Sequence, residues 1–249
     1  MAQSPILYGL CYSPWTERAC WALEAKKMRY RYKEHSPMLG EMALRFQSRK
    51  TAESKATVPL YVDGEICIGD SFEIMVHADK AGSGAPLFPD LPKAREWRDT
   101  IEPALEDMRI RVSRRILRSP EALKEAAATA VPTFLAGASK PVAALGVQFF
   151  ARKYVFELNG EELEERHMKK ALQKARNELS GSREYIGDSF SAVDMMITTL
   201  LQAVQPVETK YVNLGPATRK AWHQRELAEE FRDLLQWRDE IYRKHRHQS

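Results

Sequence analysis

The stretch Val58-Pro59-Leu60-Tyr61-Val62-Asp63-Gly64-Glu65-Ile66-Cys67-Ile68-Gly69-Asp70-Ser71 reads as two short strands joined by a tight turn and followed by a helix start. β-Branched and aromatic residues fill 58–62, and Asp63-Gly64 is a strong hairpin signal, since glycine tolerates the positive φ such turns need. Gly69-Asp70-Ser71 then opens a helix whose pattern runs to about Asp79. Upstream, Ile6-Leu7-Tyr8-Gly9-Leu10 is a continuous apolar run that suits a buried strand. Ser13-Pro14-Trp15-Thr16-Glu17 supplies an N-cap, a proline at the first helical position and an acid in the first turn, so a helix is expected to about Lys27. Met28 to Glu34 sets Tyr30 and Tyr32 against Arg29, Arg31 and Lys33, a half-solvated strand near a sheet edge. Residues 40–50 are weakly helical. The order over residues 1–80 is β-α-β-α-β-β-α, an α/β unit.

Downstream, residues 81–92 have the Gly, Ser and Pro content of a linker. Residues 93–249 read as all-α. Trp97, Ile101, Leu105, Met108, Val112 and Ile116 fall on one helical stripe. A helix near 120–130 and a Pro-bounded apolar one near 141–156 follow. Glu162→Arg166 and Glu165→Lys169 are favourable i,i+4 pairs within 161–180. Residues 191–204 are mostly apolar and predict a central helix, and a last long helix is expected over 225–245.

The 249 residues are 44% apolar and 29% charged, the balance of an ordinary soluble globular protein. No apolar run approaches the ~18–20 residues of a membrane span, and the first residues lack the basic-then-apolar pattern of a signal peptide. Three cysteines, Cys11, Cys20 and Cys67, are too few for a disulfide framework, and no Cys/His spacing suits a metal. Reduced thiols in a cytoplasmic compartment, and no metal, are therefore expected. The net charge is +4, with eleven basic and ten acidic residues over 1–80, so the first domain lacks a nucleic-acid footprint. The one local concentration, Arg111, Arg114, Arg115 and Arg118, lines a helix face without interleaved aromatics; it reads as a solvated face, with an anion site as the sharper alternative. No nucleic-acid or membrane partner is expected.

Tyr185-Ile186-Gly187-Asp188-Ser189-Phe190-Ser191-Ala192-Val193-Asp194 resembles the segment before the central helix of cytosolic glutathione transferases, a Gly-Asp followed by a Ser-x-x-Asp capping box. Val58-Pro59, Asp70-Ser71 and Ser13-Pro14-Trp15 extend the resemblance over nearly the whole chain. It implies a thioredoxin-like N-terminal domain, an all-helical C-terminal domain and a homodimer. It implies glutathione as co-substrate and conjugation of its thiol to a small hydrophobic electrophile, a detoxification chemistry. Pro59 would be cis, with Val58 pairing with the cysteinyl backbone of glutathione. Asp70 and Ser71, at a helix N-terminus, would hold the γ-glutamyl carboxylate; a plain helix cap is the other role for such a pair.

Ser13-Pro14-Trp15 resembles the Ser-Pro-aromatic segment of the serine-type enzymes. A free thiol of pKa ~8.5 is mostly protonated at neutral pH, and a hydroxyl beside it at a helix N-terminus favours the thiolate. Ser13 is thus the candidate catalytic residue, with simple N-capping as its other role. Counted back from the helix, the place of the tyrosine-type hydroxyl falls on Gly9. Cys11, two residues before Ser13, is the alternative, suited to thiol–disulfide exchange; Cys20 and Cys67 read as core. Lys55 is favoured for the glycine carboxylate of glutathione, ahead of Arg45, Arg49 and Lys50. Phe149, Phe150, Tyr154 and Phe156 would wall the second-substrate pocket or pack the core. A non-catalytic ligand-binding or scaffold protein on the same fold is the competing class.

Overall fold

In the computed structural model, residues 4–35, 57–130, 166–181 and 183–246 are described. β1 (Ile6–Gly9), β2 (Arg31–Glu34), β3 (Leu60–Asp63) and β4 (Ile66–Ile68) form one mixed sheet in the order β2-β1-β3-β4. β1 is parallel to β2 and antiparallel to β3, which is antiparallel to β4. The central strands bury Leu7, Tyr8, Leu60 and Tyr61, while all four residues of β2 are exposed, as its charged alternation and edge position require. Asp63 pairs with Ile66, so the hairpin loop is Gly64-Glu65. Glycine, at φ +59, takes the first loop position, one place from where an Asp-Gly pair would put it.

α1 (Pro14–Ala25) packs on the sheet and against α2 (Ser71–Ala81). Its end is a Schellman turn: Met28 N–H donates to the Leu23 carbonyl and Lys27 N–H to that of Glu24, both at 2.9 Å, with Lys27 at φ +56. The chain between α2 and the next helix is pinned. The buried Lys26 ammonium donates to the Gly84 and Ala85 carbonyls (3.3 and 2.9 Å) and pairs with Asp79 at 3.0 Å. Asp79 in turn accepts from the Leu87 and Phe88 N–H groups (2.8 and 3.2 Å).

The helical half contains α3 (Leu91–Arg118), α4 (Pro120–Ala130), α5 (Arg166–Glu178), α6 (Ala192–Leu201), α7 (Pro216–Trp222), α8 (Arg225–Glu230) and α9 (Arg232–His245). All six residues of the expected α3 stripe are buried. So are all ten residues of α6, the central helix that the sequence predicted. Its capping box is formed: the Asp194 carboxylate accepts from the N–H and hydroxyl of Ser191 and from the Ile186 N–H, each at 2.9 Å.

The single long helix expected over 225–245 is instead two. Phe231, at φ −113 and ψ 35, breaks it and turns its ring inward beneath the Arg176 guanidinium, 4.4 Å away. Burying that ring outweighs unbroken helical hydrogen bonding. The short α7 was not anticipated. The expectations for residues 40–50 and 141–156 and for the Glu162 and Glu165 pairs lie outside the described residues.

One continuous core joins the two halves, running from Leu7 to Tyr242. Trp21 of α1 is its hinge pin, with ring centres 4.8 Å from Tyr242 and 5.7 Å from Phe190.

Candidate functional site

The site is built around the start of α1. Ser13 is the N-cap, with extended backbone at φ −78 and ψ 126, and it is nearly buried. Its Oγ accepts from the Thr16 N–H at 3.5 Å, a long and weak capping bond. The hydroxyl is therefore little committed to its own helix. The loop before it is tight: Thr16 Oγ1 accepts from the Leu10 N–H at 3.2 Å, and a β-carbon at Gly9 would lie 2.3 Å from Thr16 Cγ2. No side chain fits at Gly9, so a tyrosine hydroxyl has no place there.

The Val58–Pro59 peptide is cis, as expected, and it leads directly into β3. Asp70 caps α2 by accepting from the Glu73 N–H at 3.0 Å, and it is exposed. Ser71 is buried, and its Oγ accepts from Arg18 Nε (2.9 Å) and Nη2 (2.6 Å). Arg18 is 1% exposed and also meets Glu102 Oε1 of α3 at 2.5 Å. The other Glu102 oxygen accepts from Trp15 Nε1 at 2.8 Å. The chain Trp15–Glu102–Arg18–Ser71 thus ties the Ser-Pro-Trp segment to the start of α2 through the helical half. Among the described residues, Arg18 Nη1 is buried with no hydrogen-bond partner.

Sequence reasoning missed Arg18 and Glu102. The available signal was a charged residue among Ala19, Cys20 and Trp21 on an otherwise apolar turn, where a buried cation needs a partner.

Cys11 sits exposed, with its N–H donating to Glu34 Oε1 at 3.1 Å. Loss of water around its sulfur and the Glu34 carboxylate push the thiol up to about 11. That environment works against a thiolate. Cys20 is buried in α1, whereas Cys67, expected in the core, is only half-buried on β4.

The arginine face of α3 is not simply solvated. Arg115 Nη1 donates to the His223 and Ala221 carbonyls (2.9 and 3.4 Å), and Arg111 Nη1 donates to Gln224 at 3.4 Å. The face is thereby packed on the turn between α7 and α8. Trp222, at the end of α7, meets Tyr12 edge-on at 6.5 Å, right beside Ser13. An open groove of about 700 Å³, lined by Arg115, Lys220, His223 and Gln224 among others, lies past that contact; none of Ser13, Val58, Pro59, Asp70 and Ser71 lines it. Among the described residues no group of three or more His, Cys, Asp and Glu could hold a metal, and no helix is long and apolar enough to cross a membrane. Lys55, Arg45, Arg49, Lys50, Phe149, Phe150, Tyr154 and Phe156 lie outside the described residues.

Residues 7–86, which hold the sheet, the cis proline and the start of α2, match the family model of the glutathione S-transferase N-terminal domain. Solved glutathione transferases share the fold. A rice glutathione transferase solved with glutathione superposes with a TM-score of 0.59 at 17% identity, over 98% of this chain and 91% of its own. Residues 7–86 are thus similar to the glutathione S-transferase N-terminal domain, and the chain shares the fold of the glutathione transferases.

A Methylobacterium radiotolerans glutathione S-transferase in complex with glutathione sulfonate gives a TM-score of 0.58 at 16% identity, covering 96% of this chain and 91% of its own. A Sphingobium beta-etherase gives 0.56 at 16% identity, covering 96% and 95%. At such identities the likeness is one of fold. In sequence, a probable glutathione S-transferase of Solanum tuberosum is 30% identical over 100 residues, 39% of this chain. That match spans 44% of the potato protein, less than half its length.

Proposed function

We propose that the chain binds glutathione between the two halves and transfers it, through its thiolate, to a small hydrophobic electrophile. The observation that carries this is the hydroxyl of Ser13: nearly buried, at a helix N-terminus, and held by a capping bond of only 3.5 Å. A sulfur beside it would gain a hydrogen bond and the positive end of the α1 dipole. Val58, before the cis Pro59, pairs with the peptide backbone of glutathione. Asp70 and Ser71 receive its γ-glutamyl end at the start of α2, where free N–H groups and the helix dipole suit a carboxylate. Lys55 takes the glycine carboxylate.

The electrophile stacks on the side of Tyr12 and Trp222. Activation and positioning of the thiolate supply the rate gain, and the sulfur forms the new bond as the electrophile's leaving group departs or its double bond takes up charge. Cys11 chemistry is disfavoured by Glu34. We further propose a cytoplasmic homodimer with a role in detoxification.

Calorimetric titration of glutathione, followed by an assay with a generic electrophilic aromatic, tests the reading. Wild type should bind glutathione, and Ser13→Ala should bind it within about threefold while losing turnover by roughly ten- to a hundredfold. No binding by wild type would sink the proposal. Binding without turnover in wild type would leave a non-catalytic ligand-binding protein.

A further inference from the structure

His245 and Arg246 do not stand off the molecule. The end of α9 folds back onto α1, the helix that carries Ser13. Trp21 Nε1 donates to the His245 carbonyl at 3.1 Å. The His245 ring stacks on Phe190 with centres 4.0 Å apart and planes 4° apart, and its Nε2 lies 3.0 Å from the Tyr185 hydroxyl. Arg246 then reaches α1 itself. Its Nε and Nη2 meet the two oxygens of Glu17 at 2.9 and 3.3 Å, and its Nη1 meets Glu24. Glu17, Trp21 and Glu24 lie along one face of α1, so two successive residues, His245 and Arg246, cover that face from first turn to last.

The contact is close to the proposed chemistry. Glu17 N–H donates to the Ser13 carbonyl at 2.9 Å, so the Glu17 carboxylate sits in the same helical turn that Ser13 caps. Glu17 is only 6% exposed and Arg246 is 12% exposed by side chain. A buried carboxylate there would oppose any anion held at the start of α1, unless a cation balances it.

We propose that Arg246 is a positioning residue for the glutathione thiolate: it straps α1 to the helical half and neutralises the Glu17 carboxylate in the helical turn that Ser13 caps. This rests on the glutathione reading above. The other groups facing Arg246 do not replace it. From α1 there is the Cys20 thiol, pushed up to about 12 chiefly by burial. The Tyr30 phenol, before β2, donates to Glu24 at 3.0 Å and is likewise held neutral by burial. From α9 there are His245 and the fully buried Tyr242 phenol, which accepts from Gln202. Arg238 is turned away, toward the Leu201 and Gln205 carbonyls and Asp239. Lys244 pairs with Glu184. Burial holds Glu24 above the usual carboxylate range despite the guanidinium beside it.

The test is the pH dependence of kcat/KM for glutathione between pH 5.5 and 9. In Arg246→Ala the acid limb should move up by about half a pH unit, since one uncompensated negative charge near the sulfur disfavours the thiolate. Arg246→Lys should restore most of the wild-type limb. The double variant Glu17→Gln/Arg246→Ala should return it fully, which loss of packing alone would not do. Should Arg246→Ala fail to fold, Glu17→Gln with Arg246 intact should shift the limb down. An unmoved limb in Arg246→Ala, or in Glu17→Gln if only that variant folds, would overturn the proposal. A shift that the double variant does not reverse would overturn it equally. Wild type without glutathione binding would instead refute the underlying reading.

Discussion

Cys11 and Ser13 stand two residues apart, and their surroundings separate their chemistry. Ser13 lies at the positive end of a helix, whereas Cys11 lies against the Glu34 carboxylate with its thiol at about 11. Alkylation of Cys11 by iodoacetamide at pH 7.5, followed by peptide mass spectrometry, should be on the order of a hundredfold slower than for an ordinary exposed cysteine. Glu34→Gln should speed it, since that change removes the adjacent charge. Rapid labelling of wild type would mean that the thiolate is stabilised after all. Ser71 carries a second lesson at this scale. The sequence offers it as a ligand contact or a plain helix cap. In the structure it is also an acceptor for the buried Arg18, so Ser71→Ala should weaken glutathione binding and cost stability as well, by about 1–3 kcal/mol in urea unfolding.

At the scale of elements, helix ends do much of the specifying. Lys27 holds a left-handed conformation that glycine adopts without steric cost. Lys27→Gly should therefore stabilise the protein by about 0.5–1 kcal/mol, measurable as a raised Tm. At the other extreme, Asp194 satisfies three donors at the start of the buried α6. Asp194→Ala should cost about 2–4 kcal/mol, because two backbone N–H groups lose their acceptor inside the protein. Burial pushes the Asp194 carboxyl up to about 6 from 3.8, against its hydrogen bonds. The folded state then binds more protons than the unfolded one between those values, and the Asp194 contribution falls as pH rises from 4 to 6. The cost of Asp194→Ala should accordingly be larger at pH 4 than at pH 7. A cost that grows with pH would show that the carboxylate form is the one the fold prefers.

At the scale of the whole molecule, the ties between the two halves among the described residues include Trp21 in the shared core, Glu102 across Trp15 and Arg18, Arg246 on Glu17 and Glu24, and the Lys26–Asp79 pair that binds the connecting segment. The connecting segment has the composition of a flexible linker, yet two carbonyls and two N–H groups within it are bound to that last pair. Asp79→Ala should cost about 3 kcal/mol by leaving the Lys26 ammonium buried without its partner. Asp79 itself is held below the usual carboxylate range; burial works against this, and the Leu87 N–H and Lys26 prevail. Its contribution is thus present above the unfolded value and lost as pH falls through the folded one. Acid unfolding of wild type and Asp79→Ala should converge at low pH.

The local signals in the chain were sufficient for the hairpin, the cap at Ser13, the α3 stripe, the capping box at Ser191 and the buried α6, and with them the fold. Each depends on residues within a few positions of one another, where side-chain chemistry and backbone geometry act directly. The tertiary structure alone decided the rest. Arg18 finds Ser71 and Glu102 across 53 and 84 positions, and Arg246 finds Glu17 across 229. The break at Phe231 answers to a ring buried under Arg176 rather than to any helix-breaking residue. Buried charges choose partners by proximity in the packed molecule, and no spacing along the chain encodes that proximity.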